Sequence, residues 1–226
     1  MTAVAAGQDL LAPIAAARAN DFGLAVRPLP GDPAGWRPAA AVPDLGPLLD
    51  AVAAGAGTAS RAVAATWLLE GHAWSVASAA LAAVLVHGLA PPLDRGLVRD
   101  LPGGTVEALA LPAEGWDPCD GGQLAARLEA HHAPLVEALG AFRPRRALWR
   151  SVGDRVGQAA IWCAEAFGDR DAALALASDV LSAPTALRAP AVFAVVDGAA
   201  RRRRAGCCLS FRVPGGDVCP DCRIAP

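Results

Sequence analysis

The chain has 226 residues, of which 54% are hydrophobic and 19% are charged. This length and composition suit one compact domain with at most a small appendage, and they exclude disorder for most of the chain. The 20 basic residues, all arginine, stand against 22 acidic residues and leave a net charge of −2. Such a balance is unlike that of a nucleic-acid-binding protein, so we expect no nucleic-acid partner.

The sequence of the first half of the chain predicts an irregular segment, here called the arm, followed by helices. Residues 20–47 are rich in proline and glycine, which predicts a largely irregular segment. Asp44 can cap a short helix that runs through Ala54. Thr58 or Ser60 can cap a long alanine-rich helix that ends near residue 89.

Part of that long helix has the composition of a membrane span. Residues 71–93 carry no formal charge, and about twenty apolar residues can cross a bilayer. However, the segment contains histidine and serine, owes much of its apolarity to alanine, and ends at Pro91 and Pro92. We therefore expect no transmembrane span but a buried helix at the centre of a bundle.

The second half predicts one hairpin and further helices. Leu97–Arg99, a turn at Pro102–Gly104 and Thr105–Leu109 read as a β-hairpin, the one hairpin that we expect. Helical periodicity then returns from Gly122, with a bend at Pro134, and continues in helices over Arg145–Phe167 and Arg170–Leu181. The predicted fold is mostly α, a bundle of roughly five to seven helices with a C-terminal cysteine-rich loop. We divide the chain into a helical domain at 1–199 and a cysteine segment at 200–226.

The cysteines are unevenly placed. Cys163 falls on the apolar stripe of its helix and is predicted to be a core residue, and Cys119 is predicted to be a bystander. The other four form the pattern C-C-x10-C-x2-C; they are Cys207, Cys208, Cys219 and Cys222. The N-terminus lacks the features of a secretory signal, so we expect a reducing cytoplasm, where such a group is typical of a metal site.

Two inorganic centres are compatible with this spacing. One is a zinc ion held by four thiolates, and the other is an iron–sulfur cluster on the same residues. Pro214–Gly216 provides a chain reversal that can bring both cysteine pairs together. Adjacent cysteines in an extended segment point apart, which suits the two irons of a [2Fe–2S] cluster better than one zinc ion.

The C-terminus resembles the FhuF-like ferric siderophore reductases, whose cluster motif has the form R-R-x-C-C-L-x-[YF]-R-x-P-x-x-x-x-C-x-x-C. Arg203 and Arg204 through Cys222 follow this motif, except that one additional residue precedes Cys207. The resemblance is weaker around Leu148 and Trp149. Many relatives have Gly-Asn after that tryptophan where this chain has Arg-Ser, so no role of the pair is carried over.

The resemblance implies a function. It predicts a [2Fe–2S] cluster on Cys207, Cys208, Cys219 and Cys222 that passes one electron to a ferric siderophore, in the cytoplasm or at the inner face of the membrane. Since the chain shows no nucleotide-binding signature, the electron must come from a separate ferredoxin or NAD(P)H-dependent reductase. The alternatives are a non-catalytic siderophore-binding or iron–sulfur accessory protein, a protein with a four-thiolate zinc site, and, least favoured, a DNA-binding regulator.

The sequence also allows predictions for the arginine run and for the histidines. The basic run at residues 201–204 is either solvated or an anion-attracting rim, and Arg203 and Arg204 are the candidate siderophore contacts because they lie nearest the motif. Four histidines remain; they are His72, His87, His131 and His132. They lack partners at ligand spacing in the sequence, so we expect them to be core or surface residues.

Overall fold

The computed structural model describes residues 7–19, 25–101, 106–188, 192–196, 199–219 and 221–222. In these ranges the α-helices are α1 (Gly7–Ala19), α2 (Leu45–Gly55), α3 (Arg61–His87), α4 (Gly121–Leu139), α5 (Arg145–Phe167) and α6 (Arg170–Ser182). The strands are β1 (Ala25–Pro28), β2 (Arg37–Pro38), β3 (Leu89–Ala90), β4 (Leu97–Asp100), β5 (Val106–Leu111), β6 (Asp117–Pro118), β7 (Val192–Val196) and β8 (Ala199–Arg203). The mostly α prediction is confirmed.

Local signals in the sequence set the helix boundaries. Asp44 caps α2 by accepting from the Gly46 amide, and Ser60 caps α3 by accepting from the Val63 amide. α3 ends at Gly88, which adopts a left-handed conformation with φ of 68°. The predicted helix boundaries therefore agree closely with the observed ones.

α3 is the central helix, and it packs most extensively against α5. Most of its residues are buried, and many of them are alanines that let neighbouring helices approach closely. Of the described helices, α3 alone is long and apolar enough to cross a membrane, and 78% of its most apolar window is buried inside the protein. That burial agrees with the prediction of a core helix.

The predicted hairpin forms, but it belongs to a larger sheet. β4 and β5 pair antiparallel as expected, whereas the predicted turn at Pro102–Gly104 lies outside the described residues. The sheet order is β1-β5-β4-β2, with β1 parallel to β5. The expectation of a single hairpin is thus wrong, because β7 and β8 form a second one. In addition, two short strands, β1 and β2, lie within the arm that is predicted to be largely irregular.

β8 leads directly into the cysteine segment. It pairs antiparallel with β7 over Val192–Val196 and contacts α5. The predicted division at residue 199 falls at the start of this strand, and it remains a prediction. The hairpin delivers Arg204 and the residues after it to the surface between α3 and α5, where the site described next is formed.

Candidate metal centre

The C-terminal segment folds into a closed loop that begins and ends at the same place. The amide of Arg204 donates to the carbonyl of Asp221 at 3.1 Å, which joins the first residue of the loop to its last turn. The Cys222 amide donates to the Cys219 carbonyl at 3.0 Å, so these two cysteines share one tight turn. The loop therefore holds both cysteine pairs within one small region.

The predicted reversal at Pro214–Gly216 is confirmed. The Gly216 amide donates to the Val213 carbonyl at 2.8 Å, and Gly215 has a φ of 70°. A Cβ at Gly216 would lie 2.2 Å from the carbonyl oxygen of Ser210, a distance that no side chain tolerates. The second glycine is therefore required by close backbone approach rather than by a special φ angle.

The thiols of Cys208 and Cys219 are brought together across the loop. Their sulfur atoms are 3.7 Å apart, and the Cys208 sulfur also contacts the Ser210 hydroxyl at 3.3 Å. Burial would raise the pKa of Cys208, but hydrogen bonds with Ser210 and the charge of Arg204 outweigh it and lower that pKa. Burial, followed by the neighbouring Cys208 sulfur, raises the pKa of Cys219. The pair thus favours a thiolate at Cys208, which is the form that binds metal.

All four cysteines of the predicted set are free thiols. Cys208 and Cys222 are buried, whereas Cys207 and Cys219 are partly exposed. The 3.7 Å separation within the Cys208–Cys219 pair matches the distance of about 3.8 Å expected for two thiolates on one tetrahedral ion with metal–sulfur bonds of about 2.3 Å. Soft thiolate donors at this separation fit an iron–sulfur cluster or a zinc ion.

A buried ion-pair network anchors the start of the loop. Arg204 is 7% exposed and forms ion pairs with Glu70 of α3 and Asp154 of α5. Asp154 also accepts hydrogen bonds from the amides of Ala205 and Gly206 at 2.7 and 2.9 Å. Burial alone would lower the pKa of Arg204, but the two carboxylates outweigh it and raise that pKa. Arg204 is therefore a permanent buried cation beside the sulfur atoms.

Two further anchors bind the backbone of the adjacent cysteines. The indole N–H of Trp67 donates to the Cys208 carbonyl at 2.9 Å. The guanidinium of Arg143 donates to the Cys207 carbonyl at 2.6 Å and also to the Thr66 hydroxyl. These contacts fix the position of both peptide units. Sequence reasoning missed Trp67 and Arg143, because no motif marks a residue that acts on a distant backbone carbonyl.

A cavity of about 390 Å³ adjoins the sulfur atoms. Residues of the cysteine loop and of α3 both line its wall. At Gly71 a Cβ atom would meet nothing within 4 Å, so the absence of a side chain leaves open space there. The lining residues are Trp67, Glu70, Gly71, Trp74, Arg155, Arg204, Cys208, Ser210 and Cys219. A molecule in this cavity would touch two of the four cysteines directly.

The remaining candidate residues lie in different environments. Cys163 is 1% exposed in α5, which confirms its prediction as a core residue, and Cys119 is partly buried beside α4. Arg203 is exposed at the end of β8. Arg204, in contrast, has its charge balanced by carboxylates, which favours a role in holding the loop over free attraction of anions. The siderophore contact of both arginines stays a prediction.

Three of the four histidines are core residues, as expected, but they meet in space. His72, His131 and His132 are buried, as predicted for core residues, but they lie side by side with their ligand atoms within 4.8 Å of one another. Sequence spacing missed this group because α3 and α4 bring together residues that are 59 positions apart. His87 lies outside the group, and its Nε2 contacts the Leu10 carbonyl at 3.0 Å.

Comparison with known proteins bears on the cysteine loop. No curated protein matches the chain. The family model of the FhuF 2Fe-2S C-terminal domain matches residues 204–222, which span the loop from its buried arginine to its last cysteine. The cofactor of such a domain is a [2Fe–2S] cluster, and the resemblance found in the sequence is confirmed. Residues 204–222, which form the cysteine loop of this chain, are thus similar to the FhuF 2Fe-2S C-terminal domain.

Proposed function

We propose that the protein is a cytoplasmic ferric-siderophore reductase in which Cys207, Cys208, Cys219 and Cys222 hold a [2Fe–2S] cluster. The observation that carries the proposal is the FhuF-type loop with a cavity at its sulfur atoms. When bound, a [2Fe–2S] cluster supplies one electron at a time. The iron–sulfur accessory protein and the zinc protein are the outcomes against which the proposal is tested.

The match to a 2Fe-2S domain supports a cluster over a zinc ion, and the geometry of the loop is compatible with a cluster. The close pair consists of Cys208 and Cys219, which come from opposite ends of the loop. The carbonyl of Cys207, adjacent to Cys208, is held separately by Arg143. The 3.7 Å separation of the Cys208 and Cys219 sulfur atoms fits two thiolates on one metal ion, which can be an iron of a cluster.

The residues around the cavity provide a surface that can bind a substrate and a route by which it reaches the sulfur atoms. Its volume of about 390 Å³ lies within the usual range of small-molecule sites, which runs from about 300 to 1,000 Å³. Trp67 and Trp74 offer apolar surface, and the guanidinium of Arg155 is partly exposed there, although it forms an ion pair with Glu70. An edge of an iron chelate that enters here would come next to Cys208 and Cys219. The cavity therefore gives the substrate a place to approach the sulfur atoms.

The chemistry of the substrate explains why one electron suffices. Siderophore oxygens are hard anionic donors that hold Fe(III) far better than Fe(II). Reduction of the bound iron from Fe(III) to Fe(II) weakens the chelate, and the Fe(II) is released. A separate ferredoxin or NAD(P)H-dependent reductase returns the electron, since the sequence carries no nucleotide-binding signature.

The test begins with anaerobically purified protein. We expect a red-brown protein with about two irons and two sulfides per chain. After chemical reduction, mixing with a ferric trihydroxamate should reoxidise the protein in a single turnover and yield Fe(II) that a ferrous chelator traps. Cys219→Ser should lose the iron and the activity, whereas Cys119→Ser, the matched control outside the loop, should retain both.

Two results would contradict the proposal. A colourless protein with one stoichiometric zinc would show a zinc site and exclude electron transfer by this loop. A red-brown protein that stays reduced in the presence of ferric siderophores would show an accessory role without turnover.

A further inference from the structure

Three histidines meet in the core on the side of α3 that faces α4. The Nε2 atoms of His72 and His131 are 3.0 Å apart, and the rings of these two residues are stacked at 5.2 Å. The ring of His132 lies edge-on to both, at 5.6 Å from His72 and 4.9 Å from His131. The three side chains are between 0% and 4% exposed. Such a concentration of imidazoles in an alanine-rich core has no packing reason of its own.

The Nε2 atoms of His72 and His131 share a hydrogen bond, so one of the two carries the proton, whereas other ring nitrogens of the group have no partner. His132 Nδ1 lies 2.7 Å from the Leu128 carbonyl, so that nitrogen carries the proton and Nε2 carries a lone pair. Within the described residues His132 Nε2 has no hydrogen-bond partner, and neither does His72 Nδ1. A buried polar atom without a partner costs about 1–3 kcal/mol. A histidine that donates one nitrogen to a backbone carbonyl and presents the other is the usual form of a metal ligand.

The electrostatics of the group favour neutral imidazoles. Burial and then the neighbouring rings lower the pKa of His72. Burial is also the largest cause of the lowered pKa values of His131 and His132, which are about 3 and about 4. Neutral imidazole is the form that coordinates a metal ion, so binding near neutral pH releases no net proton from the three rings.

The distances are those of a site that can close around an ion. In a tetrahedral zinc site with bonds of about 2.05 Å, ligand nitrogens are about 3.3 Å apart. The His72–His131 separation of 3.0 Å is close to this value, and all three ligand atoms lie within 4.8 Å of one another. Binding an ion would replace the hydrogen bond between the two Nε2 atoms, with its proton moved to a ring Nδ1, and would also require rotation of the His132 ring.

A second cavity gives access to the group. It has a volume of about 490 Å³, and His131 forms part of its wall. Asp94 and Asp117 stand in the same wall, where two arginines, Arg95 and Arg127, balance their charge; Arg127 pairs with Asp117 at 3.1 Å. The cavity offers a fourth coordination position to water or to an anionic ligand.

We propose that His72, His131 and His132 bind one divalent first-row transition metal ion, with an open coordination position toward this cavity. Three imidazoles with an open fourth position are a known donor set for zinc, and imidazole also suits iron, nickel and copper. The site is separate from the cysteine loop and does not depend on the proposed reductase activity.

The experiment uses the intact iron–sulfur protein and Zn²⁺ as the probe. Equilibrium dialysis followed by metal analysis should find one zinc per chain in addition to the iron. His132→Gln should weaken zinc binding at least about 100-fold. His87→Gln, which removes the one histidine outside the group, should leave it unchanged.

X-ray absorption at the zinc edge of the unaltered protein provides a readout that does not depend on a variant's folding. We expect a shell of nitrogen or oxygen at about 2.0–2.1 Å. A sulfur shell at about 2.3 Å would place the zinc on cysteines and overturn the proposal. The absence of retained zinc, or a folded His132→Gln protein that binds zinc like the original, would overturn it as well.

Discussion

Asp154 is expected to be the most sensitive anchor of the cysteine loop. Its buried carboxylate accepts from Arg204 and from the amides of Ala205 and Gly206. Asp154→Asn preserves the shape of the side chain but removes its charge and replaces one acceptor oxygen with an amide donor. Breaking a buried ion pair in this way costs about 3–5 kcal/mol, which is a large part of the roughly 5–15 kcal/mol that holds a domain folded.

The loss of this ion pair should lower the free energy of unfolding. It should also weaken retention of the cluster, because Gly206 immediately precedes Cys207. Denaturant unfolding followed by circular dichroism measures the free energy, and visible absorbance under a chelator measures cluster retention. Glu165→Gln is the control, since Glu165 is an exposed carboxylate on the same helix and its loss should change stability by less than about 0.5 kcal/mol. An Asp154→Asn protein within 1 kcal/mol of the original, with equal cluster retention, would refute the anchoring role.

Three other substitutions test separate parts of the site. Trp67→Phe removes one donor to a cysteine carbonyl and should cost about 1 kcal/mol of unfolding free energy, with faster cluster loss to a chelator. Gly216→Ala should lower the iron content of the purified protein because its Cβ would collide with the Ser210 carbonyl, whereas Gly55→Ala, which meets nothing within 4 Å, should not. Arg203→Gln should slow reoxidation by an anionic ferric tricatecholate, and flatten its salt dependence, without affecting a neutral ferric trihydroxamate. Equal slowing with both chelates would contradict a steering role.

Features encoded within a few residues were predictable from the sequence. The helix over Arg145–Phe167 has the predicted bounds, because its apolar residues repeat at three- and four-residue spacing and Gly168 ends it with a φ of 75°. Asp44 caps α2 as predicted. The loop motif was also local, since four cysteines, two prolines and two glycines fall within sixteen residues of chain.

Features that depend on distant parts of the chain were not predictable. β1 gains its strand character from a parallel partner about eighty positions later, and its sequence of four residues carries no strand signal of its own. The partners of Arg204 are equally remote, because Glu70 lies 134 positions before it. A run of four arginines looks uniform in the sequence. Only tertiary structure distinguishes the buried Arg204 from the exposed Arg203.

The unusual composition of α3 follows from its position between the two sites. Glu70 and His72 are two residues apart, so they lie about 200° apart around the helix axis, on opposite sides. Glu70 binds Arg204 of the cysteine loop, whereas His72 meets His131 of α4. A helix that contacts protein on both sides must be apolar nearly all round, except where a polar residue has a hydrogen-bonding partner in its own helix or in a neighbouring element. The buried serines of α3, Ser75 and Ser78, bond carbonyls of their own helix, so Glu70 and His72 are the two polar residues that link α3 to the cysteine loop and to the histidine group.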